Sequence, residues 1–353
     1  MKKNNQKTPN YISAAVLINT KKPLVIKKLK LPKIKKGQVL VKIYFTGICK
    51  SQIMEIDGKR GKDIWLPHLL GHEAAGKVIK LGKDVSKVKE GDEVVLTWIK
   101  GCGCDVPGAA FEYKNKKINS GPITTFSNYT IVSENRVQKK PNNISKLNST
   151  LFGCAIPTGF GMVSNYIKEK KISSIAIIGL GGIGLSAVMA SKVFRIKKIV
   201  ALDISTKKLN IAKKLGAKKT FNTTSKNFNS NFYKYLPNGV DLCIESAGYA
   251  KTIELGFSLI NRANGKLIFA SHPSKNDKIR LDPFELISGK KIEGSWGGAI
   301  NPDKDFEKIS KLFNNKIINN FISKIYSLDK INQAIKDFKT GKVLRPIIKM
   351  KHN

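Results

Sequence analysis

The sequence predicts a two-domain protein in which an irregular antiparallel β-barrel is combined with a doubly wound parallel sheet covered by helices. Short alternating apolar runs, separated by Gly, Pro and Lys, fill residues 11–142. Strands then alternate with helices over residues 157–299, which is typical of a parallel sheet. The predicted domains are therefore residues 1–156 with 300–353, and residues 157–299.

Composition limits the functional classes. The formal net charge is +39, but the 64 basic residues are spread along the chain without a dense block or interleaved aromatic residues. We therefore favour a lysine-rich composition over a nucleic-acid or anionic-membrane partner, the alternative that such charge raises. No apolar run approaches the ~18 residues of a membrane span, and no apolar segment follows the basic N-terminus as in a signal peptide, so we expect a cytoplasmic protein.

The β-rich part contains four clear strand signals. They are Gln38–Phe45, Gly76–Gly82, the turn and strand Lys89–Leu96, and Asn128–Val132. The five cysteines are odd in number and scattered, which in the cytosol favours metal ligands or buried thiols over disulfides.

A glycine-rich turn begins the α/β part. An apolar strand ending at Ile178 is followed by Gly179, Gly181 and Gly184, and then by a helix over 185–194. In this spacing one glycine makes the turn, one admits a pyrophosphate and one lets helix and strand pack closely. The helix N-terminus, with Gly182 and Ile183, offers N–H groups to phosphates.

A second strand, Lys198–Leu202, ends in Asp203, about 20 residues after the last glycine. A carboxylate there binds the ribose 2′-hydroxyl of NAD and repels the 2′-phosphate of NADP. The alternative is a tight strand–turn–helix without a ligand. Asp203 favours the NAD site.

Further elements follow in order. We expect a helix at Thr206–Leu215 capped by Gly216, strands at Gly239–Glu245 and Gly265–Ala270, a helix at Lys251–Ile260, a sixth strand at Lys291–Ser295, helices near Asp305–Leu312 and Asp329–Lys339, and a strand near Pro346–Met350. The tail after the sixth strand is expected to cross back and complete the first domain.

Three residues far apart in the chain predict a metal site. Cys49, His72 and Cys154 supply two thiolates and one imidazole, a zinc set with an open fourth position. Each of them alone is more often a core residue, and the neighbouring dinucleotide motif favours the metal. Glu73 could approach the metal or support the histidine.

The chain resembles the zinc-dependent alcohol dehydrogenases of the medium-chain dehydrogenase/reductase family from Ala14 to Met350. The family mark G-H-E-x-x-G is Gly71-His72-Glu73-Ala-Ala-Gly76 here. The resemblance implies a GroES-like catalytic domain, a Rossmann NAD-binding domain and one catalytic zinc between them. The two-cysteine, one-histidine ligand set is the known set of that family.

The resemblance also implies the role of each site residue. Ser51 receives the substrate proton, Glu73 is an alternate group near zinc, and Trp98 lines the substrate pocket. Lys50 and Arg345 contact the pyrophosphate, and Thr158 supports the nicotinamide. The other candidate cofactor residues are the glycine-loop residues, Asp203 and Lys208, and the segment 294–298 resembles the loop beside the nicotinamide.

The sequence departs from the family at three places. Only Cys102 and Cys104 remain where many members hold a structural zinc with four cysteines, so we predict that this zinc is absent. The segment 105–125 is expected to be a loop. Gln52 replaces an acidic residue that supports the histidine, and Met54 replaces a proton-relaying histidine.

These observations predict an NAD-dependent zinc alcohol dehydrogenase acting on a small-molecule alcohol or its aldehyde or ketone. Two alternatives stay open at this point: a zinc-free quinone or enone reductase of the same superfamily, and a non-catalytic nucleotide- or nucleic-acid-binding protein on the same fold. The resemblance implies a homodimer or homotetramer.

Overall fold

The computed structural model describes residues 8–352. Residues 1–7, on which part of the expectation about the N-terminus rests, and residue 353 lie outside the described range. The chain forms two compact units, residues 8–154 with 301–352, and residues 155–300. Within the described range, no helix combines the length and the apolar character needed to cross a bilayer.

The first stretch of the first unit is mainly β-structure. Its strands are β1 (Tyr11–Leu17), β2 (Val25–Lys30), β3 (Gln38–Gly47), β4 (His68–Leu69), β5 (Glu73–Leu81), β6 (Glu93–Thr97), β7 (Phe111–Tyr113), β8 (Lys116–Ile118), β9 (Tyr129–Ser133) and β10 (Val137–Lys139). Its helices are α1 (Lys50–Ile56) and α2 (Lys146–Ser149).

The second unit alternates helices and strands. In order they are α3 (Ala155–Glu169), β11 (Ser174–Ile178), α4 (Gly182–Val193), β12 (Lys198–Asp203), α5 (Thr206–Leu215), β13 (Lys219–Asn222), α6 (Phe228–Tyr235), β14 (Leu242–Glu245), α7 (Ala250–Leu259), β15 (Lys266–Phe269), α8 (Pro283–Ile287) and β16 (Lys291–Gly294).

The tail returns to the first unit with α9 (Pro302–Leu312), α10 (Asn315–Ile318), β17 (Lys324–Ser327), α11 (Ile331–Lys339) and β18 (Pro346–Lys349). Two sheets build this unit. One has the order β4-β1-β2-β7-β8, and the other has β10-β6-β5-β3-β18-β17 with β9 also on β3. Strand β18 pairs antiparallel with β3, so the last strand lies next to the strand that leads to Cys49.

The expectation of a loop over 105–125 is wrong in its middle. Strands β7 and β8 form a hairpin there, and β7 pairs with β2 through Glu112 and Lys30. Phe111 and Ile118 are buried, which holds the hairpin on the sheet. The turn at Lys114 and Asn115 has positive φ at both residues, the geometry that favours two-residue hairpins.

The sheet of the second unit is parallel throughout, with the order β13-β12-β11-β14-β15-β16. The expected strands and helices are confirmed with small shifts at their ends. The sequence does not predict strand β13 and helix α6, because their region is rich in Lys, Asn, Ser and Thr and shows no clear apolar pattern. Phe221 of β13 packs its ring on Phe228 and Phe232 of α6, and all three side chains are buried.

This strand order places a reversal between β11 and β14. The chain runs outward from β11 through β12 and β13, then returns to β14 on the other side. In open α/β sheets ligands bind at such a reversal, beyond the carboxyl ends of the strands. The Ser246 hydroxyl, just after β14, donates a 2.6 Å hydrogen bond to the carbonyl of Gly179, just after β11. The two strand ends are thereby joined where the glycine turn begins.

Candidate active site

Three separate segments of the first unit bring Cys49, His72 and Cys154 together. One ligand atom from each lies within 4.8 Å of the others. Cys49 is the N-cap of α1, His72 immediately precedes β5, and Cys154 follows a 3₁₀ turn over Thr150–Gly153. Two sulfurs and one nitrogen at this separation match the donor set that zinc prefers.

The electrostatics of the cluster favour a metal cation. A hydrogen bond from the Cys154 thiol, and the charge of Arg345, hold the pKa of Cys49 well below its usual value although burial opposes this. The same hydrogen bond and burial raise the pKa of Cys154. Of the two thiols, Cys49 is the one whose pKa its surroundings lower, and the thiolate is the form that binds metals. Nε2 of His72 is buried and has no hydrogen-bond partner among the described residues.

Glu73, which directly follows His72 in the chain, forms an ion pair with Arg345. The Arg345 guanidinium donates a short hydrogen bond to Oε1 of Glu73, and both side chains are almost completely buried. Burial raises the pKa of Glu73, although Arg345 opposes this. Glycine at positions 47 and 153 leaves room for the Glu73 side chain, because a Cβ at either position would come within 2.6 Å of it. No local sequence pattern indicates this pair.

The remaining first-unit candidates lie on α1 or directly after β6. Ser51 is the second residue of α1, and its hydroxyl is buried without a partner among the residues that the structure describes. Lys50 begins the same helix. Trp98 follows β6, and the centre of its indole lies 6.2 Å from the centre of the His72 ring. The aromatic candidate and the histidine are thus neighbours.

In the second unit the three glycines have three different surroundings. Gly179 has a φ of 84°, and a Cβ there would lie 2.5 Å from the backbone nitrogen of Ala247. A Cβ on Gly184 would lie 2.0 Å from the carbonyl oxygen of Gly179, so this glycine permits close helix–strand packing. A Cβ on Gly181 would meet nothing within 4 Å. The turn therefore leaves open space where a pyrophosphate would approach the N-terminus of α4.

Asp203 is the last residue of β12 and lies beside this turn. Its Oδ2 accepts the N–H of Leu180 at 2.7 Å, and its Oδ1 accepts the N–H of Ser205 at 2.9 Å. Nζ of Lys208 lies 3.5 Å from the same carboxylate. The carboxylate is fixed next to the glycine turn, with the candidate lysine beside it.

Thr158 and the segment 294–298 are adjacent in the second unit. Thr158 is buried in the first turn of α3. Its carbonyl oxygen would lie 2.4 Å from a Cβ on Gly298, which has a φ of 73°. Asn165 of the same helix donates a 2.9 Å hydrogen bond to the carbonyl of Gly298. The two features that the resemblance assigns to the nicotinamide are therefore held side by side.

Two family models match the chain. The alcohol dehydrogenase GroES-like domain matches residues 35–142, and the zinc-binding dehydrogenase domain matches residues 182–315. The chain belongs to the zinc-dependent alcohol dehydrogenase family. This confirms the resemblance and the fold class, a GroES-like domain with a Rossmann-like parallel sheet, and it supports an oxidoreductase.

Individual relatives agree with this. The chain is 28% identical over 368 residues to an S-(hydroxymethyl)glutathione dehydrogenase of Escherichia coli O6:H1, a match covering 95% of this chain and 99% of the relative. The structure of benzyl alcohol dehydrogenase from Acinetobacter calcoaceticus is 27% identical, with a TM-score of 0.86 and coverage of 97% and 99%. An alcohol dehydrogenase zinc-binding domain protein from Burkholderia ambifaria is 26% identical, with a TM-score of 0.87 and the same coverage.

In this member of the family, two carboxylates hold the segment that contains Cys102 and Cys104. Asp303 accepts the N–H of Cys102 at 2.7 Å and its thiol at 3.2 Å, and pairs with Lys87 at 2.6 Å. Glu134 accepts the N–H of Cys104 at 2.7 Å. These contacts hold the segment in place. The absence of a structural zinc stays a prediction.

Replacing Asp303 with asparagine is expected to flatten the acid dependence of stability. Lys87 and the Cys102 N–H, acting against burial, lower the pKa of Asp303 from 3.8 to about 2. The stabilisation that the ionised Asp303 adds to the free energy of unfolding is therefore complete above pH 4 and is lost as the pH falls toward 2. Partial exposure to solvent reduces that contribution to about 1 kcal/mol. Urea unfolding at pH 5 and pH 2.5 measures it.

The control is Glu307→Gln, on the exposed face of the same helix α9. It should leave the pH dependence of the unfolding free energy unchanged. Equal pH dependence in wild type and Asp303→Asn would contradict the role of Asp303.

Proposed function

We propose that this chain is an NAD-dependent alcohol dehydrogenase with zinc held by Cys49, His72 and Cys154. The observation that carries the proposal is the convergence of two thiols and one imidazole within 4.8 Å in a chain of this family. The lowered pKa of Cys49 supports it, because the thiolate is the form that binds metals. Nε2 of His72 also supports it, because this nitrogen is buried and no other described residue occupies it with a hydrogen bond.

The chain's own residues have defined tasks in this reaction. When bound, zinc supplies a Lewis acid that polarises the alcohol or carbonyl oxygen. Ser51 accepts the alcohol proton at Oγ and releases its own hydroxyl proton in the same relay. Its Oγ is buried and has no hydrogen-bond partner among the described residues, so it is available for this exchange. Since Met54 replaces the relaying histidine, the proton leaves by another route. Trp98 forms an apolar wall beside His72.

NAD supplies the hydride acceptor when it is bound. The open space at Gly181 and the N–H groups of Gly182, Ile183 and Gly184 at the start of α4 receive the pyrophosphate. We propose Lys50 as a further pyrophosphate contact and Thr158 as the support of the nicotinamide. Arg345, to which the resemblance assigns the same contact, is buried against Glu73, so its role toward the pyrophosphate stays a prediction. Asp203, with Lys208, binds the ribose hydroxyls.

We propose that the substrate is an alcohol similar to one of those in the names of two relatives. One relative is named for S-(hydroxymethyl)glutathione and another for benzyl alcohol. The net charge of +39 favours the anionic one, because it attracts anions over long distances. Initial rates with both alcohols at low and moderate salt compare the two directly.

Replacing Asp203 with serine is expected to lower kcat/KM with NAD about tenfold to a hundredfold. This is the loss expected when charge-assisted hydrogen bonds to the ribose are removed. Activity with NADP should rise, because the carboxylate no longer repels the 2′-phosphate. Initial rates with both cofactors measure the change, and Asp277→Ser on an exposed loop is the control. A wild type that prefers NADP would contradict the proposal and favour the quinone or enone reductase.

A homodimer or homotetramer in the cytoplasm stays a prediction. Within the described sheet, β16 pairs with β15 alone, and Phe284 and Ile287 of the neighbouring α8 are exposed. An unpaired edge beside apolar side chains is typical of a sheet that continues in a second copy. The mass in solution by light scattering tests this assembly.

A further inference from the structure

Gln52 lies between two groups that both belong to the metal cluster. It is 2% exposed and occupies the third position of α1. Its Oε1 accepts the backbone N–H of Cys49 at 3.0 Å, which caps the helix. Its Nε2 lies 2.6 Å from Nδ1 of His72. One amide therefore serves both a ligand's backbone and a ligand's ring.

This arrangement determines where the neutral His72 ring carries its proton. An amide nitrogen only donates, so Nδ1 must accept and cannot itself bear hydrogen. The ring proton of His72 is then on Nε2. That nitrogen is buried without a partner among the described residues, and it is the one left for a metal.

Zinc coordination requires the opposite tautomer. A nitrogen that bears hydrogen has no lone pair for a metal, so the proton must move to Nδ1. Gln52 must then turn its oxygen toward His72 to accept the Nδ1–H group. Its NH₂ group would face the Cys49 N–H, and two donors would meet. A carboxylate has two oxygens and accepts both N–H groups at once.

We propose that Gln52 is a positioning residue that couples zinc binding to the cap of α1. This inference rests on the zinc site proposed above. Without metal, Gln52 holds His72 with its proton on Nε2. Zinc binding reverses the amide and breaks the hydrogen bond from the Cys49 N–H to Gln52. Zinc binding therefore removes one hydrogen bond that caps α1, and a carboxylate at position 52 would keep it.

The test is the matched variant Gln52→Glu, which keeps the side-chain length and adds a second acceptor. Competition with a chromogenic zinc chelator measures affinity. We expect Gln52→Glu to bind zinc at least about tenfold more tightly, the usual size of changes around metal ligands. The reverse change elsewhere on the same helix, Glu55→Gln, should leave zinc affinity unchanged. Equal affinity of wild type and Gln52→Glu would overturn the inference alone, and no zinc binding by either would overturn the proposed site as well.

Added negative charge alone would also tighten zinc binding, so a second readout is needed. Ring ¹⁵N spectra of the metal-free protein, labelled at histidine and recorded at pH 8, report the tautomer. His72 is assigned from its missing signal in His72→Asn. We expect hydrogen on Nε2 in wild type and on Nδ1 in Gln52→Glu. Hydrogen on Nδ1 in metal-free wild type would overturn the inference, and this spectrum needs no variant at position 52.

Discussion

Replacing Cys154 with serine is expected to remove zinc and to lower kcat/KM for the alcohol by at least about a thousandfold, or about 4 kcal/mol. Cys154 is one of the three proposed ligands, and its thiol is hydrogen-bonded to Cys49. Serine keeps the shape but offers a hydroxyl, which binds zinc poorly at neutral pH. Steady-state rates and zinc content of the same preparation measure both effects.

Cys102→Ser is the matched control, because Cys102 is exposed and lies outside the cluster. It should keep zinc and activity, because the serine hydroxyl can still donate to Asp303 as the thiol does. Full activity with full zinc in Cys154→Ser would contradict the ligand assignment.

Replacing Arg345 with methionine is expected to destabilise the protein by about 3 to 5 kcal/mol, the usual cost of leaving a buried charge without its partner. Glu73 is fully buried and Arg345 is nearly so. Methionine keeps the apolar volume but removes the cation. Urea unfolding of the metal-free protein measures the loss without any contribution from zinc.

The double variant Glu73→Gln, Arg345→Met should recover most of this stability, because the unpaired charge is removed as well. An exposed pair gives the control: Lys339→Met, which removes the partner of Asp57 at 2.8 Å, should cost less than about 1 kcal/mol. A loss at Arg345 no larger than at Lys339, or a double variant less stable than Arg345→Met, would contradict the buried pair.

Local patterns made much of the fold predictable from the sequence. The glycine spacing and the strand before it located the turn at Gly179, and the observed β12 ends at Asp203 as expected. The sequence does not predict the hairpin at 111–118 or strand β13, because both are short, mainly polar and stabilised by packing on other elements. Propensity is a weak guide for such strands.

The candidate site was predictable only as a set of residue types. The motif around His72 suggested the ligand trio, but not its geometry. The pairing of Glu73 with Arg345 joins residues 272 positions apart, and no local pattern encodes such a contact. The double role of Gln52 was also hidden, since it depends on which atom of the amide faces each partner. The sequence instead left the support of His72 in doubt.

Zinc content per chain, by elemental analysis of the purified protein, tests the central claim most directly. The account predicts one zinc per chain, bound at Cys49, His72 and Cys154. Zero zinc that cannot be restored by adding the metal would contradict the catalytic site. Two zincs per chain would contradict the predicted loss of the structural site, and would mean that Cys102 and Cys104 bind metal with other ligands.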